Sequence, residues 1–169
     1  MPSKSIFIAL ALFCFSALPA QAERYTVRVL AVSDGDSMLV DHNGKKEKLI
    51  MYGIDCPESG QDFGPQAKKF TDTCCFKKDV VVDVRNTDKY GRVVAEVYLT
   101  DGADLNQELV RRGLAWWSDK FAPGDLKLKE LQADAKAKNK GLWTAPNPIP
   151  PWIFRNGDKA VQATIVTGK

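Results

Sequence analysis

Histidine is almost absent from this sequence, and its scarcity removes several classes of active site. The 169 residues include one histidine, His42, which stands beside Asn43-Gly44, a pair typical of tight turns. A structural zinc site needs four suitably spaced ligands, and Ser-His-Asp or Cys-His catalysis needs a histidine base. We therefore expect neither a zinc site nor histidine-dependent nucleophilic catalysis.

The sequence also lacks a large excess of either charge. Its 24 lysines and arginines face 21 acidic residues, which gives a formal net charge of +3. This balance does not indicate a class of partner. The basic residues form four local clusters: Lys45-Lys46 with Lys48, Lys68-Lys69, Lys77-Lys78 and Arg111-Arg112. Such clusters are often ordinary solvated surface, and they indicate a function only where they lie beside a site.

The first 22 residues differ in composition from the rest. Lys4 precedes an apolar run from Ile6 to Leu18, and Ala20-Gln21-Ala22 follows it. This pattern predicts a signal peptide over 1–22, whereas a membrane-spanning helix, the alternative, needs about 20 apolar residues. We expect a secreted or periplasmic protein that does not touch the membrane after signal cleavage.

Cysteine is scarce too, and three of the four cysteines follow residue 22. An odd number in an oxidising compartment favours one disulfide and one free thiol. Because adjacent cysteines rarely pair with each other, we expect Cys56 to pair with either Cys74 or Cys75.

Hydrophobic periodicity predicts a mainly β protein. Alternation of polar and apolar residues predicts five strands, and Asn43-Gly44 predicts a hairpin between the second and third. The predicted strands are 24–32, 37–42, 45–54, 80–85 and 92–99.

Helical spacing predicts three helices, over 64–76, 105–112 and 125–140, with Leu128, Leu131 and Ala135 as a core-facing stripe of the third. The pattern favours an α+β, mainly β, fold: a five-stranded Greek-key barrel of the oligonucleotide-binding (OB) type with three packed α-helices. We expect one domain over 23–145. A proline-rich tail over 146–169 should begin extended, because prolines disfavour a helix from Ala145 to Pro151.

Carboxylates gather where two predicted strands end. Asp36 follows Gly35, while Asp55 and Glu58 flank Pro57, which stops the strand. Carboxylates with a main-chain carbonyl are hard ligands that suit calcium or magnesium. A neighbouring carboxylate can take a proton from water, and an arginine such as Arg92 can stabilise charge on a phosphoryl group.

Five motifs follow one another along the chain: Asp34-Gly35-Asp36-Ser37, Gly53-Ile54-Asp55-Cys56-Pro57-Glu58, Asp88-Lys89-Tyr90-Gly91-Arg92, Leu109-Val110-Arg111-Arg112-Gly113-Leu114-Ala115 and Gly141-Leu142-Trp143. In their order and spacing they resemble the staphylococcal nuclease (thermonuclease) family over nearly all of residues 25–145. The resemblance implies an OB barrel with three helices and calcium-dependent cleavage of DNA and RNA that leaves 3′-phosphates.

The resemblance also implies roles for single residues. Asp36 and Asp55 match the calcium-binding carboxylates, and Cys56 would add its main-chain oxygen. Glu58 matches the general base that activates water, and Arg92 matches the arginine that stabilises the transition state. Lys89 and Tyr90 stand where the family contacts substrate phosphate.

One position departs from the family pattern. The family usually has an arginine five residues before the second calcium aspartate, and here that residue is Ile50. Loss of a charged donor to a transition-state phosphoryl group costs about 10²- to 10³-fold in rate. Lys48, two residues earlier and on the same strand face, would reach the phosphate only in part and cannot copy a bidentate arginine.

Beyond the site, Trp116 and Trp117 would either stack on bases or pack internally, and Asp119 nearby would repel phosphate. We expect a monomer that acts on nucleic acid, preferably single-stranded, with little sequence preference and reduced efficiency. The alternative is a catalytically impaired module that binds nucleic acid on the same barrel.

Overall fold

The computed structural model describes residues 23–157. The predicted signal peptide and residues 158–169 lie outside the described residues. Within 23–157, none of the helices has the length and apolar character needed to cross a bilayer.

The β structure of residues 23–157 consists of the strands β1 Glu23–Val32, β2 Ser37–His42, β3 Lys45–Met51, β4 Ile54–Asp55, β5 Asp79–Thr87, β6 Val93–Tyr98 and β7 Trp116–Trp117. Five of them form a closed barrel in the order β1-β2-β3-β6-β5. The two short strands, β4 and β7, pair beside it as a separate ribbon.

The barrel closes through one parallel contact. Neighbouring strands pair antiparallel except β3 and β6, where Leu49, Ile50 and Met51 pair with 93–95. The β2–β3 hairpin turns at Asn43 and Gly44, whose φ angles of 53° and 85° are the left-handed values that such a turn requires. The predicted five-stranded OB-type barrel is confirmed.

Three α-helices pack on this barrel: α1 Gly64–Cys75, α2 Leu105–Arg111 and α3 Leu126–Ala137. Pro65 lies in the first turn of α1, and the side chains of Asp104 and Asp125 cap α2 and α3 by accepting main-chain N–H groups. A 3₁₀ helix, Gly141–Thr144, follows α3. Leu128, Leu131 and Ala135 are buried, as the helical stripe predicts.

The third predicted strand is divided in the structure. β3 ends at Met51, and Gly53 adopts a left-handed φ of 75° that turns the chain into β4. This turn directs Asp55 away from the barrel wall and toward β7. The strand pattern ran across the turn because apolar residues, Met51 and Ile54, stand on both sides of it.

The expected disulfide is not formed, and Cys56, Cys74 and Cys75 are all free thiols. Cys56 is buried against Gly35, while the Cys75 thiol donates to the main-chain oxygen of Thr71 within α1. Cys56 therefore packs against the loop before β2, and the Cys75 thiol is bonded within its own helix. The prediction of a disulfide to Cys74 or Cys75 was wrong.

A buried asparagine ties the turn after β3 to the barrel. Asn106, only 1% exposed, accepts a hydrogen bond from Val97 N–H at 3.0 Å and donates to the carbonyl of Tyr52 at 2.8 Å. Its amide thereby satisfies one polar group on β6 and another immediately before β4. Asn106 fixes the path of the chain toward Asp55.

We predict that Asn106→Ala destabilises the fold by about 1–3 kcal/mol, because buried polar groups lose their partner. Urea unfolding followed by tryptophan fluorescence measures the change. Gln107→Ala on the same helix is the matched control, since among residues 23–157 its side-chain amide bonds only the cap residue Asp104. Equal losses in the two variants would contradict a special role for Asn106.

Candidate functional site

The structure joins Asp36 to the loop that follows β4. Cys56 N–H donates to the Asp36 carboxylate at 2.8 Å, and Met51 N–H donates to the Asp36 main-chain oxygen, also at 2.8 Å. Two chain segments that are 20 residues apart are thus locked side by side. Asp36, Asp55 and Cys56 meet at one end of the barrel.

Gly35 allows this close approach. A Cβ atom built on Gly35 would lie 2.7 Å from both the Cβ of Ala67 and the sulfur of Cys56, which is closer than carbon and sulfur atoms pack. The Gly35 carbonyl accepts the hydroxyl of Thr71, a buried residue of α1, at 2.5 Å. Helix α1 therefore supports the Asp36 loop from beneath.

Asp34 belongs to the same cluster, although the sequence reasoning gave it no role. Its carboxylate accepts the hydroxyl of Ser59 at 2.8 Å and that of Ser37 at 3.3 Å. Asp34 thereby connects the Asp36 loop to the residue after Glu58. The signal available in the sequence was its place in the Asp-Gly-Asp motif.

Glu58 is positioned by a buried glutamine. The Gln61 side-chain oxygen accepts Glu58 N–H at 2.8 Å, and the Gln61 amide donates to the carbonyl of Ile149 at 3.0 Å. Gln61 is 8% exposed. One side chain therefore holds both the Glu58 loop and the segment near the end of the described chain.

That terminal segment brings an unexpected cation into the site. Residues 151–157 are helical, and Arg155 donates to both carboxylate oxygens of Asp55, at 3.1 and 2.7 Å, and to Glu58 Oε1 at 2.5 Å. The prediction of an extended, non-helical segment from Ala145 to Pro151 was wrong at its end: 145–147 form bends, 148–150 have no regular structure, and a helix begins at Pro151. Sequence reasoning missed Arg155 because it assigned this part of the chain to a polar tail.

Arg92 has no direct contact with the carboxylate cluster within 23–157. Its Nε donates to Asp88 at 2.7 Å, and Asp88 also accepts the main-chain N–H groups of Tyr90 and Arg92, each at 2.9 Å. These hydrogen bonds with the main chain and side chain of Arg92 lower the pKa of Asp88. The 88–92 loop is therefore organised around Asp88.

The exposed tip of this loop carries Lys89 and Tyr90. Tyr90 is 71% exposed, and its ring lies 5.0 Å from the Lys89 ammonium and 5.4 Å from the Arg92 guanidinium. Both Lys89 and Tyr90 are open to solvent, where a substrate can reach them.

Ile50 lies between the segments that carry Asp36 and Arg92. It pairs with Ser37 on one side and with Val94 on the other, so about two strand spacings, roughly 10 Å, separate the starts of β2 and β6. Leu49 and Met51 point into the core, and alternation turns Ile50 outward. Lys48 is exposed two residues away and contacts none of the site carboxylates within 23–157.

The two adjacent tryptophans pack rather than stand open. Trp117 donates from its indole to the carbonyl of Ala122 and packs on the core. Trp116 makes edge contacts with Trp143 and Trp152, at centroid distances of 4.4 and 5.6 Å. Neither indole presents a free face comparable to that of Tyr90.

The electrostatics of the cluster favour a cation. Burial, with smaller contributions from Asp55, Asp34 and Glu58, raises the pKa of Asp36 to about 7, although the hydrogen bond from Cys56 opposes this. Burial likewise raises the pKa of the Cys56 thiol, which leaves that sulfur protonated and unreactive. An ionised Asp36 needs a positive partner.

The donor set at this place fits a hard cation. Asp36 offers a carboxylate, Asp55 offers carboxylate oxygens that also accept hydrogen bonds from Arg155, and Cys56 can add its main-chain oxygen. No group of three or more His, Cys, Asp or Glu side chains within 23–157 forms a metal site by itself. A cation here would thus combine two carboxylates, one carbonyl and water, a combination that suits calcium better than zinc.

The chain matches one family model and is similar to several proteins that are named as nucleases. The family model described as "Staphylococcal nuclease homologue" matches residues 48–145. The chain is 36% identical over 150 residues to an "Uncharacterized endonuclease" of Escherichia coli, covering 89% of this chain and 97% of that protein. It is 30% identical to a "Micrococcal nuclease" of Shigella flexneri, covering 90% and 92%. It is 33% identical to a "Thermonuclease" of Staphylococcus hyicus, covering 76% and 82%.

We predict that Gly35→Ala destabilises the protein by about 1–3 kcal/mol, because the added methyl group overpacks Ala67 and Cys56. Thermal unfolding measures the loss. Gly124→Ala is the control, since a Cβ there meets nothing within 4 Å. If Gly35→Ala is as stable as Gly124→Ala, the packing between Gly35 and α1 does not constrain the site.

Proposed function

Because the chain belongs to the staphylococcal nuclease family, we propose that it is a calcium-dependent phosphodiesterase that hydrolyses DNA and RNA with little sequence preference. The observation that supports this most strongly is the convergence of Asp36, Asp55 and Glu58 at one end of the barrel. The hydrogen bond between Cys56 and Asp36 holds them there. The proposed substrate is nucleic acid, preferably single-stranded.

In this proposal Asp36, Asp55 and the main-chain oxygen of Cys56 hold the calcium ion. A bound calcium ion supplies positive charge that offsets the charge of a phosphodiester and helps to orient it. The protein contributes two carboxylates whose positions are fixed before a ligand arrives. This fixing matters because Asp36 is packed among other acids.

Glu58 accepts the proton from the attacking water. The water oxygen then forms a bond to phosphorus and the bond from phosphorus to the 5′-oxygen breaks. The leaving 5′-oxygen takes up a proton from solvent water, and Glu58 returns its proton to solvent. Within 23–157, Glu58 Oε1 bonds to Arg155, and Oε2 has no hydrogen-bond partner. Oε2 is therefore the atom that we assign to the water.

Arg92 is proposed to stabilise the charge that develops on the phosphoryl group. Arg92 stands immediately before β6, the strand that pairs with β3. Lys89 and Tyr90 contact substrate phosphate from the exposed tip of the same loop. Lys48 supplies a weaker positive charge beside Ile50.

We also propose that the protein acts as an exported monomer, either secreted or periplasmic, after cleavage of a signal peptide over 1–22. The composition of those residues is what supports this. The balanced charge of the whole chain means that nucleic acid must be recognised locally rather than by a broad basic surface.

We predict that Glu58→Gln lowers the rate of calcium-dependent cleavage by about 10²- to 10⁴-fold, because an amide cannot accept the proton from water. Digestion of single-stranded DNA by purified protein, with calcium and with a chelator, measures the rate. Glu130→Gln, a change of an exposed glutamate in α3, is the matched control.

The same experiment separates the enzyme from the binding module on the same barrel. If wild-type protein binds the oligonucleotide but does not cut it with calcium, the enzyme proposal is wrong. Cleavage that continues in the chelator would contradict calcium dependence. Cleavage that Glu58→Gln leaves unchanged would remove Glu58 from its assigned role.

We further propose that Ile50 limits the rate, and we predict that Ile50→Arg raises kcat/KM for single-stranded DNA. The outward position of Ile50 between β2 and β6 allows an arginine to extend beside Asp36 and Arg92. Ile50→Met, which lengthens the side chain without adding charge, is the control. No gain from Ile50→Arg would mean that another group already occupies the phosphate position.

A further inference from the structure

We infer that Arg155, on the helical segment 151–157, is a phosphate-binding residue of the catalytic site, supplied from outside the barrel. The inference rests on the proposed function, because it assigns the group that meets the substrate at Asp55 and Glu58. Arg155 lies 100 residues from Asp55 in the sequence and contacts it directly.

Arg155 brings positive charge into an acidic site. Asp34, Asp36, Asp55 and Glu58 form an acidic cluster that repels a phosphodiester. Within 23–157, Arg155 is the only cationic side chain that forms an ion pair with any of these acids. Arg92 is paired with Asp88 instead, and position 50 on β3 carries no charge. Arg155 is therefore the cationic group that stands beside these acids and can attract a phosphate to them.

The Arg155 guanidinium also keeps hydrogen-bond donors for a further ligand. A guanidinium carries five N–H donors in a fixed plane. Among the described residues Arg155 uses three, two to Asp55 and one to Glu58. Two N–H groups are left for an anion, and the Arg155 side chain is 44% exposed. The guanidinium is thus oriented by the carboxylates and still reachable from solvent.

The segment that carries Arg155 is docked on the rest of the protein at defined points. Pro151 is buried at the first turn of the helical segment, where its missing N–H costs nothing. The Trp152 ring lies edge-on to Trp116, and the Cζ atom of Phe154 lies 3.7 Å from where a Cβ of Gly60 would stand. These contacts place Arg155 without using the charge of its own side chain.

Gln61 connects this docking to the proposed base. Its oxygen accepts Glu58 N–H while its amide donates to the Ile149 carbonyl, just before the helical segment. The loop of Glu58 and the segment of Arg155 are therefore held by the two ends of one buried amide. Gln61 thereby holds the loop of Glu58 and the segment of Arg155 in position relative to each other.

The test uses Arg155→Gln and Arg155→Lys in the full chain. We expect Arg155→Gln to lower kcat/KM for single-stranded DNA by about 10²- to 10³-fold. Arg155→Lys should recover only part of the loss, because an ammonium cannot donate in the same planar fork. Arg28→Gln is the matched control, since it removes an exposed arginine that pairs with Asp79 and no site carboxylate.

Binding provides a readout that does not depend on turnover. The probe is a phosphorothioate oligonucleotide with a fluorescent label, and its binding is followed by anisotropy with calcium and with a chelator. In calcium, we expect the Arg155→Gln variant to bind this probe about tenfold or more weakly than the wild-type protein does. If wild-type protein proves unable to cut DNA, the proposed function fails, and this binding comparison still decides the role of Arg155.

A double variant sharpens the assignment. Ile50→Arg in the Arg155→Gln background should restore much of the lost activity, and the gain should exceed the gain from Ile50→Arg alone. Faster cleavage by Arg155→Gln would instead show that the segment blocks the site, and would overturn the inference. Unchanged cleavage and binding in Arg155→Gln would overturn it as well.

Discussion

The hydrogen bond from the main chain of Cys56 to the carboxylate of Asp36 is the contact on which the site depends. It joins the loop before β2 to the loop after β4, and so brings acids from two strand ends into one cluster. Gly35 makes this possible because its missing side chain lets Cys56 and Ala67 approach. The cost is a crowded, partly buried set of carboxylates, which is reflected in the raised pKa of Asp36.

Such a cluster is stable only with positive charge nearby, and the structure meets that need from an unexpected direction. The strands contribute acids and an uncharged Ile50, while Arg155 comes from a short helical segment that follows the prolines of 148–151. The stiffness of that proline-rich stretch and the buried amide of Gln61 hold the segment against the site loop. The chain belongs to the staphylococcal nuclease family. Because the segment 151–157 is held in this way, it forms part of the proposed catalytic surface.

Most of the barrel and helices followed from local patterns. Alternation predicted the barrel strands, Asn43-Gly44 predicted the hairpin, and Asp104 and Asp125 stand where helix caps belong. Three features escaped. The turn at Gly53 divides an apolar run, and the helix at 151 begins on a proline in a segment that otherwise disfavours helices. The cysteines stay unpaired, with Cys56 packed against Gly35 instead of against Cys74 or Cys75.

The sequence by itself determined the fold class and singled out Asp36, Asp55 and Glu58 as candidate site residues. Periodicity and short motifs depend on neighbouring residues, so they can be recognised without knowledge of the rest of the chain. Only the tertiary structure decided which charged groups meet. Asp34 and Ser59 are 25 residues apart, and Arg155 is 97 residues from Glu58. No local pattern signals such contacts, since they exist only after the barrel has closed and the final segment has docked on it.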